Sequence, residues 1–192
     1  SVEATLHEWR ELLVDRDPLP VAALCADIQN RIPWKGGPVF GTAIAAIDAA
    51  LYDIAGKAWK VPVHTILGGK RRDRARVYSG ISMDDPQKAV SEALQLRELG
   101  YAGVKGNPLE IRTWPMDIRA VEHSLNCVSS VREEVCDHFD ILLDAHGSPT
   151  PELSIEFARS LAPYRPLFLE EPVKVGSLEA LLEVSTKSPI PI

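Results

Sequence analysis

The chain has 192 residues, 45% hydrophobic and 25% charged, with a formal net charge of −6 and a pI of about 5.4. Those values fit a globular protein with a substantial core. An acidic balance without a basic, aromatic-studded stripe argues against a nucleic-acid partner.

The chain opens with helical spacing. Val2 to Val14 places Val2, Leu6, Trp9 and Leu13 near one face. Asp17-Pro18 breaks that segment, and Val21 to Ile28 predicts a second helix after Pro20. Arg31 to Pro38 is a loop by its proline and glycine content. A long helix follows from about Phe40 to Trp59, with Ile44, Ile47, Leu51, Ile54 and Ala58 as its buried stripe. Asp48 and Asp53 flank that stripe and read as surface or interhelix groups.

From about Ala75 the pattern becomes an alternation of strand and helix. Predicted strands cover Arg76–Ile81, Tyr101–Lys105, Phe139–Leu143 and Leu167–Leu169. Predicted helices cover Asp85–Leu99, Pro115–Val135, Pro151–Leu161 and Leu178–Val184. Pro189–Ile192 reads as the opening of a fifth strand. This rhythm predicts βα units on a parallel sheet. With no glycine-rich phosphate loop, part of a (β/α) TIM-type barrel is favoured over a doubly wound sheet. The expected division is a helical domain over 1–72 and a barrel segment over 73–192. No apolar run reaches the roughly 18 residues of a membrane span, and the N-terminus lacks the basic start and apolar core of a secretion signal. No membrane partner is expected. Cys25, Cys127 and Cys136 show no CxxC spacing, so no disulfide framework or zinc site is favoured. Cys127 and Cys136 are expected to pack as small hydrophobes in a helix, and the setting is expected to be reducing and cytoplasmic.

Two apolar runs stop in carboxylates 26 positions apart, at Asp144 and Glu170. A carboxylate is costly to bury unless it is paired or bound to a cation, and the C-terminal ends of barrel strands are where chemistry collects. Two acidic strand ends in consecutive units suit Mg²⁺, which takes oxygen ligands and keeps part of its shell for water or substrate. The alternative is that each carboxylate caps a helix or pairs with a basic residue. His146, two residues beyond Asp144, would point the same way by strand alternation and could move a proton, or be a loop histidine satisfied by backbone. Lys105 could orient a carboxylate, serve as a base if its pKa is depressed, or form a plain salt bridge. Glu171 reads as a supporting group beside Glu170 or as one of a pair inside the barrel.

Three stretches are similar to a known family: Trp34 to Pro38 with Ala45–Ala58 and Val61–Gly69, then Asp144-Ala145-His146-Gly147, and Pro163 to Pro172. They resemble the mandelate racemase/muconate lactonizing branch of the enolase superfamily, and within it the galactonate dehydratase-like sugar acid dehydratases. The resemblance implies an enolase-type barrel preceded by the helices of an α+β capping domain. It implies Mg²⁺ as cofactor, a small sugar acid as substrate and a homo-oligomer. It implies Asp144 and Glu170 as the first two metal ligands and His146 as the general acid that helps expel a hydroxyl. Lys105, Asn107, Glu171 and Lys35 are then expected to bind substrate or support the site.

Many relatives carry Lys-x-Lys on the second strand, whereas this chain has Lys105-Gly106-Asn107, which fits a dehydratase better than a lysine-based racemase. The resemblance also implies a third metal ligand, a histidine base and a capping sheet that these residues do not supply. A segment of a longer enzyme is expected, inactive by itself. The competing expectations are another enolization, such as racemisation or cycloisomerisation, and an inactive piece with a binding or structural role.

Overall fold

The computed structural model describes residues 1–32, 36–109 and 118–192. It forms two compact units, Ser1–Arg74 and Ala75–Ile192.

The first unit is helical. Helix α1 (Val2–Glu8) starts at Ser1, whose hydroxyl accepts a hydrogen bond from Ala4 N–H at 3.3 Å. It gives way to a 3₁₀ turn over Trp9–Leu12, so the single helix expected to Val14 is broken. Asp15 takes a left-handed φ of 63°, and the residue before Pro18 is biased away from helix, so the chain has turned before it reaches the proline. Helix α2 (Val21–Arg31), α3 (Gly37–Trp59) and the short α4 (Val63–Ile66) complete the unit. Trp9, Leu24, Ile28, Ala43, Ile47, Leu51 and Ala55 form its core. Trp9 meets the Phe40 ring edge-on at 5.4 Å. Asp53 pairs with Lys57 at 2.5 Å, and Asp48 accepts from Cys25 Sγ at 3.5 Å. One expectation is corrected here. By length and composition, α3 is long and apolar enough to cross a membrane. Its alanines raise the mean hydropathy although Asp48 and Asp53 interrupt every apolar run. Ala43, Ile47, Leu51 and Ala55 of α3 are nevertheless buried in the core of this unit.

The second unit alternates strictly: β1 (Tyr78–Gly80), α5 (Pro86–Glu98), β2 (Gly103–Gly106), α6 (Ile118–Glu134), β3 (Asp140–Asp144), α7 (Pro151–Leu161), β4 (Phe168–Glu170) and α8 (Leu178–Lys187). The four strands are parallel and lie in sequence order. Asp85, Thr150 and Ser177 cap α5, α7 and α8 through their side chains. Val104, Ile141, Leu143 and Leu169 of the strands pack with Val128, Val131, Phe157 and Leu161 of the helices in one core. A strand covered this way reads as a continuous apolar run, as in Ile141-Leu142-Leu143.

Pro189–Ile192 adopts no regular strand, but Leu169 N–H donates to Pro191 carbonyl at 2.9 Å. That segment therefore approaches the β4 edge in the manner of a neighbouring strand. Cys127 is buried in α6 as expected, while Cys136 lies beyond the helix and is exposed. Val135 takes the last inward-facing position instead.

Candidate active site at the carboxyl ends of the strands

The sheet register decides which side chains meet. Asp144 closes β3 directly opposite Glu170, which closes β4. Lys105 on β2 pairs with Leu142, two positions short of Asp144, so alternation puts it on the Asp144 face. A lysine is long enough to span that offset. Its Nζ lies 2.8 Å from Asp144 Oδ2 and 2.5 Å from Glu170 Oε2. One cationic nitrogen thus touches a carboxylate oxygen from each of two neighbouring strands.

Asp144 is 7% exposed. Burial by itself would push its carboxyl pKa up, but the hydrogen bond from Lys105, the backbone N–H of His146 and the charges beside it outweigh that and hold it below the usual carboxylate range. The hydrogen bonds to Asp144 and then to Glu170 raise the Lys105 ammonium above its ordinary value. A lysine base needs the opposite shift, so that option is corrected: Lys105 is a committed cation here.

His146 reaches the same cluster by a route the alternation did not foresee. The strand ends at Asp144, and His146 sits in the left-handed region at φ 48°. Its backbone N–H donates to Asp144 Oδ1 at 3.0 Å, closing an Asx-type turn. The ring then comes back over the carboxylate, with Nε2 3.2 Å from Asp144 Oδ2. Asn107, just past β2, stands 3.0 Å from His146 Nδ1 through its amide nitrogen. The orientation of that amide is fixed because Asn107 Oδ1 accepts from Leu109 N–H at 3.1 Å. An amide NH₂ facing Nδ1 makes Nδ1 the acceptor, so a neutral ring carries its proton on Nε2.

The loops are tied to one another by backbone. Ala145 N–H donates to Glu170 carbonyl at 2.9 Å, and Gly147 N–H to Glu171 carbonyl at 2.8 Å. Gly147 has φ 62°, and a Cβ there would come within 3.1 Å of the Lys174 backbone, so glycine is demanded twice over. Glu171 also takes a left-handed φ of 44° and is exposed. It turns away from the alternation that positions Glu170 and lines an apolar groove with Val173, Val175 and Leu178. Lys35 lies outside the described residues.

Two buried serines were missed by sequence reasoning. Ser124 on α6 donates to Pro108 carbonyl and Ser154 on α7 to Pro172 carbonyl. Each anchors the chain two residues past the end of a strand that carries a site residue. The signal available was a small hydroxyl within the apolar stripe of a helix, where alanine would serve packing equally well.

Among the described residues, no group of three or more His, Cys, Asp or Glu side chains is arranged to hold a metal ion. Two carboxylates converge, and both reach a single cationic atom. That pair fits part of the coordination shell of a hard, oxygen-seeking cation.

Residues 88–192 match the enolase C-terminal domain-like family, and residues 1–68 match the mandelate racemase/muconate lactonizing enzyme N-terminal domain. The chain belongs to the mandelate racemase/muconate lactonizing enzyme family of the enolase superfamily. All 192 residues align at 35% identity with a D-galactonate dehydratase of Cronobacter sakazakii (strain ATCC BAA-894), covering 50% of that protein. A solved mandelate racemase/muconate lactonizing enzyme-like protein from Rubrobacter xylanophilus DSM 9941 superposes with a TM-score of 0.89 at 28% identity, over 100% of this chain and 55% of the other. An enolase superfamily member from Salmonella Typhimurium gives 0.83 at 26% identity, over 91% and 51%. The chain thus spans about half the length of the relatives it matches. Its second unit is part of a TIM-type barrel, and its first unit is the helical portion of the family's N-terminal domain.

Proposed function

We propose that these residues form part of a Mg²⁺-dependent acid-sugar dehydratase acting on an aldonate such as galactonate. It would remove the proton α to the carboxylate and expel a hydroxyl as water. The observation that carries this reading is the convergence of Asp144 Oδ2 and Glu170 Oε2 on one cationic atom, with His146 Nε2 3.2 Å from the same Asp144 oxygen. The D-galactonate dehydratase similarity supports the substrate class.

Asp144 and Glu170 would hold the ion, and a divalent cation there would stabilise the negative charge that builds on the substrate carboxylate as the α-proton leaves. His146 would act as general acid from its imidazolium form, with the Asn107 amide turned from Nδ1, giving its Nε2 proton to the departing hydroxyl, which otherwise leaves as hydroxide, and returning to the neutral ring. Asn107 would hold the neutral ring in place between turnovers, with its own amide oxygen accepting from Leu109 N–H. The remaining metal ligand and the base that takes the α-proton are assigned to sequence outside these 192 residues.

The test uses this chain with its barrel completed by the C-terminal half of the Cronobacter sakazakii relative, in buffered D₂O with a panel of aldonates. Formation of a 2-keto-3-deoxy acid, lost on His146→Asn, is the expected result. Deuterium uptake at the α-carbon without loss of water would favour racemisation instead. Turnover by the 192-residue chain alone would contradict the assignment of the base elsewhere.

A further inference from the structure

We infer that Lys105 is a positioning residue that acts as a placeholder cation: its ammonium holds Asp144 and Glu170 in register and competes with a divalent ion for the same two oxygens. This rests on the metal reading above and goes beyond it, because it assigns the affinity of the site to a residue that is not a ligand.

Lys105 Nζ contacts Asp144 Oδ2 at 2.8 Å and Glu170 Oε2 at 2.5 Å. No cation can bridge those two oxygens while the ammonium stays between them. Its withdrawal breaks two charge-assisted hydrogen bonds, the stronger kind. The lysine side chain is only 22% exposed, so water compensates little of that loss. In the other direction, removing the ammonium would leave two carboxylates from directly paired residues facing each other. Their repulsion would raise the energy of the metal-free protein and be relieved when a divalent ion enters. Both effects tighten metal binding when the lysine charge is deleted. The opposing effect is loss of pre-positioning. It is limited at Asp144, whose Oδ1 still accepts from His146 N–H at 3.0 Å. It is limited at Glu170 too, because Ala145 N–H donates to the Glu170 carbonyl at 2.9 Å and fixes the backbone there.

The neighbouring sequence fits a lysine with one assigned place. A Cβ at Gly106 would come within 2.5 Å of Met83 Cγ, so β2 lies close against the segment following β1 just beyond Lys105. Asn107 then serves His146 rather than the carboxylates. Among the described residues, Lys105 is the side chain whose nitrogen contacts both carboxylates, while His146 Nε2 touches Asp144 alone.

The experiment is a Mn²⁺ titration of the chain with its barrel completed by the C-terminal half of the Cronobacter sakazakii relative, at fixed pH and ionic strength, reading free Mn²⁺ by electron paramagnetic resonance. Wild type is compared with Lys105→Met, Lys105→Gln, Lys105→Arg and Asp144→Asn, with circular dichroism to establish that each is folded. Lys105→Met and Lys105→Gln are expected to bind Mn²⁺ about tenfold more tightly or better, the value of one charge-assisted hydrogen bond at the low end of its range. Lys105→Arg keeps the charge and is expected to stay near wild type. If wild type binds Mn²⁺ in an Asp144-dependent manner and neither neutral variant binds more tightly, the placeholder role is overturned while the metal reading stands. If neither wild type nor the neutral variants bind Mn²⁺, the metal reading itself fails and the placeholder with it.

Discussion

Asp140 and Asp144 begin and end the same strand, β3, four residues apart, and their surroundings differ in kind. Asp140 pairs with Arg76 at 2.7 Å, and that arginine side chain is 71% exposed. Asp144 is buried, shares a lysine with a second carboxylate and accepts from the backbone of the turn that follows. The amino-terminal edge spends its polar groups on closing the fold. Half-buried Arg132 donates there to the carbonyls of Cys136, Phe139 and Tyr164, just ahead of β3 and β4. The carboxyl-terminal edge gathers two carboxylates and an ammonium into one cluster. In parallel βα architecture the first kind of edge reads as stability and the second as chemistry.

That division can be broken or sharpened by substitution. Leu143 is fully buried between the two aspartates and packs in the core that supports both edges. Leu143→Ala is expected to cost about 2–5 kcal/mol, seen as a lowered urea midpoint, with both edges lost in one transition. Arg132→Met removes the donor shared by the Cys136, Phe139 and Tyr164 carbonyls, and a hydrogen bond to a charged group contributes about 1.5–3 kcal/mol, less where it is exposed. It should destabilise clearly in the same urea experiment yet leave Mn²⁺ affinity unchanged in the folded protein.

A pH series separates the edges more finely. The Asp144 carboxyl is held below its unfolded value of about 3.9 by Lys105 and the His146 N–H against the opposing effect of burial. Its contribution to stability is therefore present above that value and is lost as pH falls through the lower folded one. Asp144→Asn should flatten the acid limb of the stability curve. Lys105, raised by the same contacts, contributes fully below its unfolded value of about 10.4 and loses that contribution as pH rises through the higher folded value. The smallest effect belongs to Asp140→Asn. Its ion pair is largely solvated, and such pairs are worth about 0–1 kcal/mol, so a change in melting temperature near the limit of detection is expected.

Much of this was legible in the sequence because the signals were local and redundant. The helix over Pro151–Leu161 coincides with its prediction, since Thr150-Pro151 starts it and the apolar period fills it. Strands ending in Asp144 and Glu170 could be read because a carboxylate after an apolar run has few cheap fates. What could not be read depended on backbone torsion or on partners distant in sequence. His146 reaches Asp144 through a left-handed turn rather than by strand alternation. Glu171 turns outward for the same reason. The bridging geometry of Lys105 follows from a register of 39 and 65 residues' separation that no local pattern encodes. Cys136 looked buried by type, but the helix ended before it.

The most direct measurement is Mn²⁺ binding, in the protein with its barrel completed by the C-terminal half of the Cronobacter sakazakii relative, by wild type, Asp144→Asn, Glu170→Gln and Asp140→Asn, followed by electron paramagnetic resonance under one buffer condition. Binding that is present in wild type and Asp140→Asn and absent in Asp144→Asn and Glu170→Gln is the expected result. Binding that survives both carboxyl-edge substitutions, or that disappears with Asp140→Asn alone, would contradict a shared cation site at the ends of β3 and β4.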